Sequence, residues 1–438
     1  MRKKVIVRGP ALSRSGYGEQ TRFALRSLRK FEDRFDIYFI NTNWGATSWL
    51  ADDNEERRWI DFLIHKTLAA NNQPNPSYDI SIQVTIPNEW EKMAPVNIGF
   101  TAGIETDRIA PIWIEKANMM DKVFVVSNNS KDSFVRTTYE AVHKVTGQKY
   151  QDWKCETPIV VTNFPVRDVT PKELDLDITS DFNFLVVAQD GPRKNIKNTV
   201  DWFVQEFKDD PGVGMVLKIF GRDTSTMDRH RLHTKLEGLL ANHEDDIQCK
   251  IYLLHGEMTD EELHGLYTHS QIKCLVNIAH GEGFGLPIFE AVCSGLPVLT
   301  TEWGGQLDFL YAPVKKKNKK TKMKPHFCKV AYDFLPVQPE AVWEGVIHPD
   351  FKWTYAKEND YRKKMREMVK NHRTYVSRAK KLKTYVLKDL SFEKQSNIFA
   401  DAVFPPDAAS AEGPEIKYVE ASEMLTKNVE GISIRTYE

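Results

Sequence analysis

Two carboxylates, Glu282 and Glu290, lie eight positions apart on either side of a glycine-rich turn. An apolar run over 274–278 precedes the turn and a helix-like segment follows it, so the pattern predicts a strand, a tight loop and a helix N-terminus. A helix N-terminus presents unpaired N–H groups and a partial positive charge, which suits an anion or a ring of sugar hydroxyls. The candidate ligand-binding residues of this segment are Glu282, Gly283, Phe284, Gly285, Leu286 and Glu290.

The glycines of this turn would let the backbone approach a ligand closely, because they carry no Cβ. Glu282 lies at the entry of the predicted loop and can point into a cleft, whereas Glu290 lies about one turn into the predicted helix. An ordinary strand–loop–helix corner with two surface acids would give the same carboxylate pair. The wider sequence context distinguishes the two interpretations.

The segment from His280 to Glu290 resembles the Glu-x7-Glu signature of family 4 glycosyltransferases. Flanking sequence at 260–267 and 291–305 extends the likeness, which is strongest over about 182–310 and looser over 1–165. The resemblance implies a retaining enzyme of the GT-B architecture that uses a nucleotide sugar, UDP-linked, as co-substrate and needs no metal or other cofactor. In that family the loop holds the donor sugar and the second carboxylate holds the nucleotide ribose.

A basic turn over 189–195, with the sequence Gln-Asp-Gly-Pro-Arg-Lys-Asn, also follows a predicted strand and opens a helix. The resemblance places the donor diphosphate here, where cations stabilise the negative charge that develops on the leaving group. Lys194 matches the family lysine. The family arginine lies five residues earlier, where this chain has Gln189, so Arg193 is the candidate for the missing charge. The alternative interpretation is a solvated basic turn.

A glycine loop from Ser13 to Gly18 follows the first predicted strand. It does not match the GxGxxG fingerprint, so nothing indicates a dinucleotide. The resemblance implies that Gly16 and Gly18 approach the donor phosphates and the acceptor. A purely structural turn is the alternative.

Glu105 and His280 are two further candidates with open roles. Glu105 follows a strand of the first half and could reach the donor sugar or the acceptor nucleophile. Its segment could instead be a helix cap made by Thr106 or Asp107. His280 could hydrogen-bond the site or could be a structural histidine at a strand end.

Short β-rich runs alternate with helical segments along most of the chain, which is typical of parallel βαβ units. The predicted fold class is therefore α/β, with two Rossmann-like β/α/β domains facing across a cleft, and ligands are expected outside the carboxyl ends of the strands. One amphipathic, basic helix is expected over about 360–386. The predicted segments are an acceptor-side domain at 1–165, a linker at 166–180, a donor domain at 181–390 with a basic insert at 315–324, a helix at 391–406 that packs on the first domain, and a tail at 407–438.

The composition, with 41% hydrophobic and 28% charged residues, is typical of a soluble globular protein. The sequence has no apolar run of about 18 residues and no signal-peptide pattern, so we expect no transmembrane segment. Five scattered cysteines without a CxxC pair disfavour a disulfide framework or a zinc site and favour the cytoplasm. No metal-ligating residues are predicted, since no convincing Asp-x-Asp motif is present.

The net charge of −1 hides an asymmetry, because residues 315–388 carry 21 Lys and Arg against 7 Asp and Glu. Such a region is typical of a surface that binds a polyanion. The predicted acceptor is a hydroxyl group, and one hypothesis is a hydroxymethylated base in DNA. A glycan, lipid or protein acceptor remains open, as does a merely solvated surface. The candidate acceptor- or polyanion-binding residues are Lys315, Lys316, Lys317, Lys319 and Lys320.

Two other classes are alternatives to this glycosyltransferase. A GT-B epimerase or phosphorylase would share the fold, but the Glu-x7-Glu context disfavours both. A nucleic-acid-binding protein with an inactive GT-B domain would share the basic region, but the intact Glu282, Glu290 and Lys194 argue against lost activity. The sequence leaves open the donor sugar, its base and the oligomeric state.

Overall fold

The computed structural model describes residues 2–143, 147–243, 246–315, 321–405 and 432–434. Two six-stranded parallel sheets with flanking helices form two Rossmann-like α/β domains that face each other across a cleft. The predicted fold class is therefore confirmed. No helix in the described part of the chain is long and apolar enough to span a bilayer.

The first domain alternates strands and helices in the order expected from its hydrophobic pattern. Its elements are β1 (Lys3–Gly9), α1 (Gly16–Arg29), β2 (Phe35–Asn41), α2 (Glu55–Asn71), β3 (Ile80–Val84), β4 (Val96–Thr101), α3 (Pro111–Asn118), β5 (Lys122–Val125), α4 (Asn128–Arg136), β6 (Thr138–His143), β7 (Lys149–Lys154) and β8 (Ile159–Val161). The sheet order is β2-β1-β3-β4-β5-β8, while β6 and β7 pair in an antiparallel ribbon.

The second domain repeats this plan with an added pair of hairpins. Its elements, and those that follow it, are β9 (Phe182–Gln189), α5 (Ile196–Phe207), β10 (Val213–Phe220), α6 (Thr226–Leu240), β11 (Lys250–Leu254), α7 (Asp260–Thr268), β12 (Ile272–Asn277), α8 (Leu286–Ser294), β13 (Val298–Thr301), α9 (Leu307–Leu310), β14 (Tyr311–Lys315), β15 (Thr321–Pro325), β16 (Cys328–Val330), β17 (Tyr332–Pro336), β18 (Lys352–Ala356), α10 (Glu358–Lys370), α11 (His372–Asp389), α12 (Phe392–Val403) and β19 (Ile432–Ile434). The sheet order is β11-β10-β9-β12-β13-β16.

The strand order reverses beside the first strand of each sheet, between β1 and β3 and between β9 and β12. In open α/β sheets such a switch point leaves a crevice outside the carboxyl ends of the strands. The loops that follow β1 and β9 therefore border the cleft, as do the loops that follow β4 and β12. The topology brings four separate parts of the sequence to one place.

The amphipathic segment predicted as one helix over about 360–386 is two helices, α10 and α11, which meet at Asn371. The side chain of asparagine competes for backbone hydrogen bonds and disfavours a helix interior, and Asn371 has φ −110° and ψ 23°. α10 packs against α5 and β16, whereas α11 packs against α8 and β14. The break lets the two halves of one apolar stripe reach different partners, so the single-helix prediction is wrong.

Helix α12 returns to the first domain and packs against α1. Its Phe399 is fully buried and contacts the rings of Phe23, Phe100 and Phe124. The core of the first domain is thus completed by a helix from the far end of the chain. The predicted tail at 407–438 lies outside the described residues, apart from β19, whose backbone pairs with β6.

Candidate active site

The cleft between the domains has a volume of about 1130 Å³, at the upper end of the range for small-molecule sites. Loops from both sheets line it, and so do most of the residues predicted from the sequence. The predicted residues that line the cleft are Gly16, Glu105, Arg193, Lys194, Glu282, Gly283, Phe284, Gly285, Leu286 and Glu290.

Glu282 is the centre of a buried charge cluster on the cleft floor. One carboxylate oxygen accepts hydrogen bonds from Lys194 Nζ at 2.6 Å and from Asn277 Nδ2 at 2.9 Å. The other accepts a hydrogen bond from Arg193 Nη1 at 3.1 Å. Side chains from two separate segments, the basic turn and the end of β12, therefore hold one carboxylate in a fixed position.

The charges of this cluster shift its pKa values in a consistent way. Burial opposes ionisation of Glu282, but Lys194 and Arg193 outweigh it and lower the pKa of Glu282 to about 2. Burial and the neighbouring Arg193 lower the pKa of Lys194. Burial also opposes the charge on Arg193, but Glu105 and Glu282 raise its pKa. The site holds a buried carboxylate and two closely spaced basic groups that are half-buried at the cleft.

The basic turn owes its position to Asn195, which adopts the left-handed conformation with φ 53° and begins α5. Asparagine tolerates this conformation better than most residues. Its Nδ2 donates to Ile278 O at 3.2 Å, which ties the turn to the end of β12. Arg193 and Lys194 form the single 3-10 turn that precedes it. The two predicted phosphate-binding cations therefore face Glu282.

Glu105 reaches the cluster from the first domain, with its Oε1 3.5 Å from Arg193 Nη2. The alternative of a helix cap is wrong, because Asp107 Oδ1 accepts from the backbone N–H of Lys352 and Thr106 Oγ1 donates to Arg108 O. The loop after β4 thus joins the two domains at the site.

The glycine turn packs against the first domain. A Cβ at Gly283 would lie 2.1 Å from the backbone oxygen of Ala102, and Ser127 Oγ donates to Gly283 O at 2.7 Å. The sequence interpretation assigned the close approach at this turn to a ligand. In the structure the missing Cβ of Gly283 lets one domain touch the other.

Gly285 and Phe284 set the start of α8. Gly285 has φ +87°, a left-handed conformation that side chains disfavour, and it is the N-cap of the helix. The ring of Phe284 is buried against Phe164, Phe289 and Phe309, so its side chain is part of the core. Among the described residues no protein group accepts a hydrogen bond from the N–H groups of Gly283, Phe284 or Gly285. These donors remain available at the cleft.

Glu290 lies half-buried at a second position along the cleft, where it accepts a hydrogen bond from Tyr267 OH at 2.9 Å. Burial raises the pKa of Glu290 to about 7, although the charge of Arg167 and the Tyr267 bond act in the opposite direction. Arg167 also pairs with Asp260. Glu290 can therefore change protonation near neutral pH.

The first glycine loop and His280 have mainly structural contacts. Gly16 faces open space at the cleft, whereas a Cβ at Gly18 would lie 2.1 Å from Ser13 O, and Gly18 is not among the described residues that line the cleft. His280 stacks on Trp353 at 5.2 Å, and its Nδ1 lies 2.7 Å from the backbone oxygen of Thr354.

The predicted basic insert is only partly described. Lys315 ends β14, which pairs with β15 in an antiparallel hairpin, and it is not among the described residues of the cleft lining. Lys316, Lys317, Lys319 and Lys320 lie outside the described residues.

Several residues of the site were missed by sequence reasoning. Asn277 and Ser127 belong to no recognised motif, and the partner of Ser127, Gly283, is distant in sequence. Arg167 lies in the segment predicted as a linker, yet it lines the cleft. Trp343 also lines the cleft. Its position as an aromatic residue in a Pro- and Gly-containing segment was the sequence signal that could have marked it as a candidate. In the described ranges, no group of three or more His, Cys, Asp or Glu residues could hold a metal ion.

Comparison with known proteins agrees with this geometry. Residues 175–312 match the family model described as glycosyl transferases group 1. No curated protein sequence matches the chain. Anabaena Alr3699/HepE in complex with UDP-glucose is 13% identical with a TM-score of 0.56, covering 92% of this chain and 99% of that chain. Sucrose-phosphate synthase from Thermosynechococcus elongatus is 12% identical with a TM-score of 0.60, and the match covers 93% of this chain and 100% of that chain.

A third solved structure, a glycosyltransferase from Rickettsia africae ESF-5, is 14% identical with a TM-score of 0.54 and covers 92% of this chain and 98% of that chain. At these identities the structural likeness shows the fold, which is GT-B. The family match covers the loops that carry Arg193, Lys194 and Glu282. Residues 175–312 therefore form a group 1 glycosyltransferase domain, which confirms the predicted enzyme class.

Proposed function

We propose that the protein transfers a sugar from a nucleotide sugar, UDP-linked, to a hydroxyl acceptor with retention of the anomeric configuration, as family 4 enzymes do. The observation that carries this proposal is the pair of basic side chains, Arg193 and Lys194. Both donate hydrogen bonds to Glu282 beside the N-terminus of α8. Such a preorganised arrangement suits a leaving diphosphate. The complex of Alr3699/HepE with UDP-glucose supports a UDP-linked donor.

Each residue has a role in this proposal. Arg193 and Lys194 hold the diphosphate, and Glu290 accepts hydrogen bonds from the ribose hydroxyls. Glu282 and the free N–H groups of Gly283 to Gly285 hold the sugar. The acceptor oxygen bonds to the anomeric carbon as the bond from that carbon to the diphosphate oxygen breaks. The departing diphosphate oxygen takes the proton of the acceptor.

Positive charge from side chains replaces that of a divalent cation in this scheme. We therefore expect full transfer activity in excess EDTA. Strict dependence of transfer on Mg²⁺ or Mn²⁺ would contradict the roles given to Arg193 and Lys194.

The stereochemical test follows the anomeric proton of donor and product by NMR. Retention requires the product to have the same anomeric configuration as the nucleotide sugar. A product with the opposite configuration would exclude the family 4 mechanism while leaving the enzyme class intact.

Nucleic acid is a second candidate acceptor, in the form of a hydroxymethylated base, and a basic surface favours it. β14 packs against α11, whose exposed residues include Arg373, Arg378 and Lys380. Together with Lys315 they are exposed basic residues on two packed elements, and such residues suit a phosphate backbone. A cytoplasmic location is part of this hypothesis.

Duplex binding across a salt series tests the nucleic-acid hypothesis. Affinity should be measurable at about 50 mM salt and should fall steeply as the salt concentration rises. Replacing Lys315, Lys316, Lys317, Lys319 and Lys320 by Ser should flatten the slope. Absence of duplex binding at low salt would remove nucleic acid and leave the glycosyltransferase assignment.

A further inference from the structure

A segment between β17 and β18, residues 337–351, crosses from the second domain to the first. We call it the hairpin tip. At one side Gln338 Nε2 donates to Pro192 O at 3.2 Å, next to the basic turn. At the other side Asn88 Nδ2 donates to Gly345 O at 3.0 Å, and Asp350 Oδ2 lies 3.5 Å from Arg108 Nη1. The hairpin tip is therefore fixed at both walls of the cleft.

The backbone of Trp343 is fixed in this segment by two hydrogen bonds, whereas its side chain is largely exposed. Its backbone N–H donates to Ile347 O at 2.9 Å, and the backbone N–H of Ile347 donates to Trp343 O at 2.7 Å. The residue is nevertheless 52% exposed, and it lines the cleft together with Val346 and Ile347. An exposed apolar group at a cleft mouth commonly marks a place where a ligand or partner binds.

The first domain supplies the facing wall with Ile86 and Trp113, and both line the same cleft. Trp113 Nε1 donates to Asn88 Oδ1 at 2.7 Å, which links this wall to the contact with the hairpin tip. Glu105 lines the same cleft and lies at the charge cluster. An apolar subsite therefore opens beside the place where the donor sugar is proposed to lie.

The hairpin tip is acidic. It contains Glu340, Glu344 and Asp350 and no Lys or Arg, although these three residues are not among the described cleft lining and Asp350 pairs with Arg108. Glu89 and Glu105 line the cleft from the first domain. Carboxylates repel a phosphate backbone but accept hydrogen bonds from neutral hydroxyl groups. The basic residue Lys315, in contrast, is not among the described residues of the cleft lining.

We propose that the hairpin tip forms the acceptor subsite for a neutral saccharide, with Trp343 as the ring on which the acceptor sugar stacks. The apolar face of a pyranose buries the exposed indole, and the carboxylates at the rim accept bonds from its hydroxyls. One acceptor hydroxyl then points towards Glu105 and the donor sugar. This inference rests on the proposed glycosyl transfer and names the acceptor class for it.

The test compares Trp343→Ala with Trp49→Ala, since Trp49 is exposed to a similar extent, 51%, but is not among the described residues of the cleft lining. A panel of methyl glycosides of common hexoses and pentoses and their disaccharides serves as acceptor, beside a duplex that contains 5-hydroxymethylcytosine. Nucleotide release without acceptor is measured in parallel. Trp343→Ala should raise the acceptor KM about tenfold, the scale of one stacking contact, with acceptor-free release unchanged.

Trp343→Phe should restore most of the acceptor affinity, and Trp49→Ala should behave as wild type. An unchanged acceptor KM in Trp343→Ala, or transfer by the wild type to the duplex but to no saccharide, would overturn the subsite while the glycosyltransferase proposal stands. If the wild type releases nucleotide from no nucleotide sugar, the proposed function fails and the subsite fails with it.

Discussion

At the scale of single residues, Glu282 organises the site because it holds both cations in place before any donor is bound. A diphosphate that entered the cleft would compete with Glu282 for Lys194 and Arg193. Because these groups are already desolvated and oriented, little reorganisation is needed when negative charge develops on the donor. The chain therefore places a cluster of buried and half-buried charges at the point where the proposed bond breaks.

Glu290 should make the stability of the fold depend on pH near neutrality. The pKa of Glu290 is raised to about 7 from an ordinary value near 4.5. The contribution of its protonated form to the unfolding free energy is therefore fully present below about pH 4.5 and is lost as the pH rises through 7. The unfolding free energy of Glu290→Gln minus that of the wild type should therefore be larger at about pH 8 than at about pH 5, by roughly 1–3 kcal/mol. Urea unfolding of both proteins at the two pH values measures this difference.

The exposed Glu32→Gln serves as the control for this experiment and should show no comparable gain. A constant difference between Glu290→Gln and wild type at both pH values would contradict the buried environment of Glu290.

Two glycines of the cleft should respond differently to alanine. At Gly283 the added Cβ would lie 2.1 Å from Ala102 O, so Gly283→Ala should cost about 1–3 kcal/mol of stability and lower turnover by moving the domains apart. At Gly16 no atom lies within 4 Å of the added Cβ, so Gly16→Ala should keep or slightly raise stability. Thermal unfolding and donor KM distinguish the two cases.

If Gly16 approaches the donor phosphates, Gly16→Ala should raise the donor KM without loss of stability. Equal melting temperatures for Gly283→Ala and wild type would mean that the contact between the glycine turn and Ala102 is not tight.

At the scale of elements, helix α12 joins the end of the described chain to the first domain. Phe399 is fully buried among three aromatic rings, so Phe399→Ala should lower the unfolding free energy by about 3–5 kcal/mol. Phe62→Ala is the matched control, because Phe62 lies on α2 and is 59% exposed. Denaturant unfolding of both variants measures the effect, and equal losses would argue against α12 as part of the core.

The order of strands and helices could be predicted from the sequence because local periodicity determines it. The apolar runs at 35–41, 80–84 and 250–254 predict strands, and β2, β3 and β11 have these bounds. The break at Asn371 could not be predicted with equal certainty, since it depends on which neighbours the two halves of the stripe contact. Local patterns predict elements well, whereas bends between helices depend on tertiary packing.

The candidate site was likewise predicted where local sequence determines it and missed where tertiary contacts determine it. Arg193, Lys194 and Glu282 were predicted because each lies in a loop with a recognisable local sequence. The packing of Gly283 on Ala102 and the exposed position of Trp343 were not predicted, because they arise from contacts between segments far apart in the chain.

At the scale of the whole molecule, the two domains meet through polar contacts on both sides of the charge cluster. Glu105 lies beside Arg193, Ser127 donates to Gly283 O, and Gln189 Nε2 donates to Ala46 O at 3.1 Å. The resemblance to family 4 predicts an arginine at the position of Gln189, and in this chain the residue makes a domain contact instead. The hairpin tip lines the cleft through Trp343, Val346 and Ile347, whereas Lys315, the described residue of the basic insert, is not among the described cleft lining.

The most direct test of the account is the rate of nucleotide release from a panel of UDP-, GDP-, ADP- and dTDP-sugars in excess EDTA. The wild type, Lys194→Ala and Lys197→Ala are compared, since Lys197 is an exposed lysine one turn away on α5 that is not among the described residues of the cleft lining. We predict release from at least one donor by the wild type, a loss of roughly 10²-fold in folded Lys194→Ala, and a wild-type rate in Lys197→Ala. Release from no donor by the wild type, or an unchanged rate in Lys194→Ala, would contradict the account.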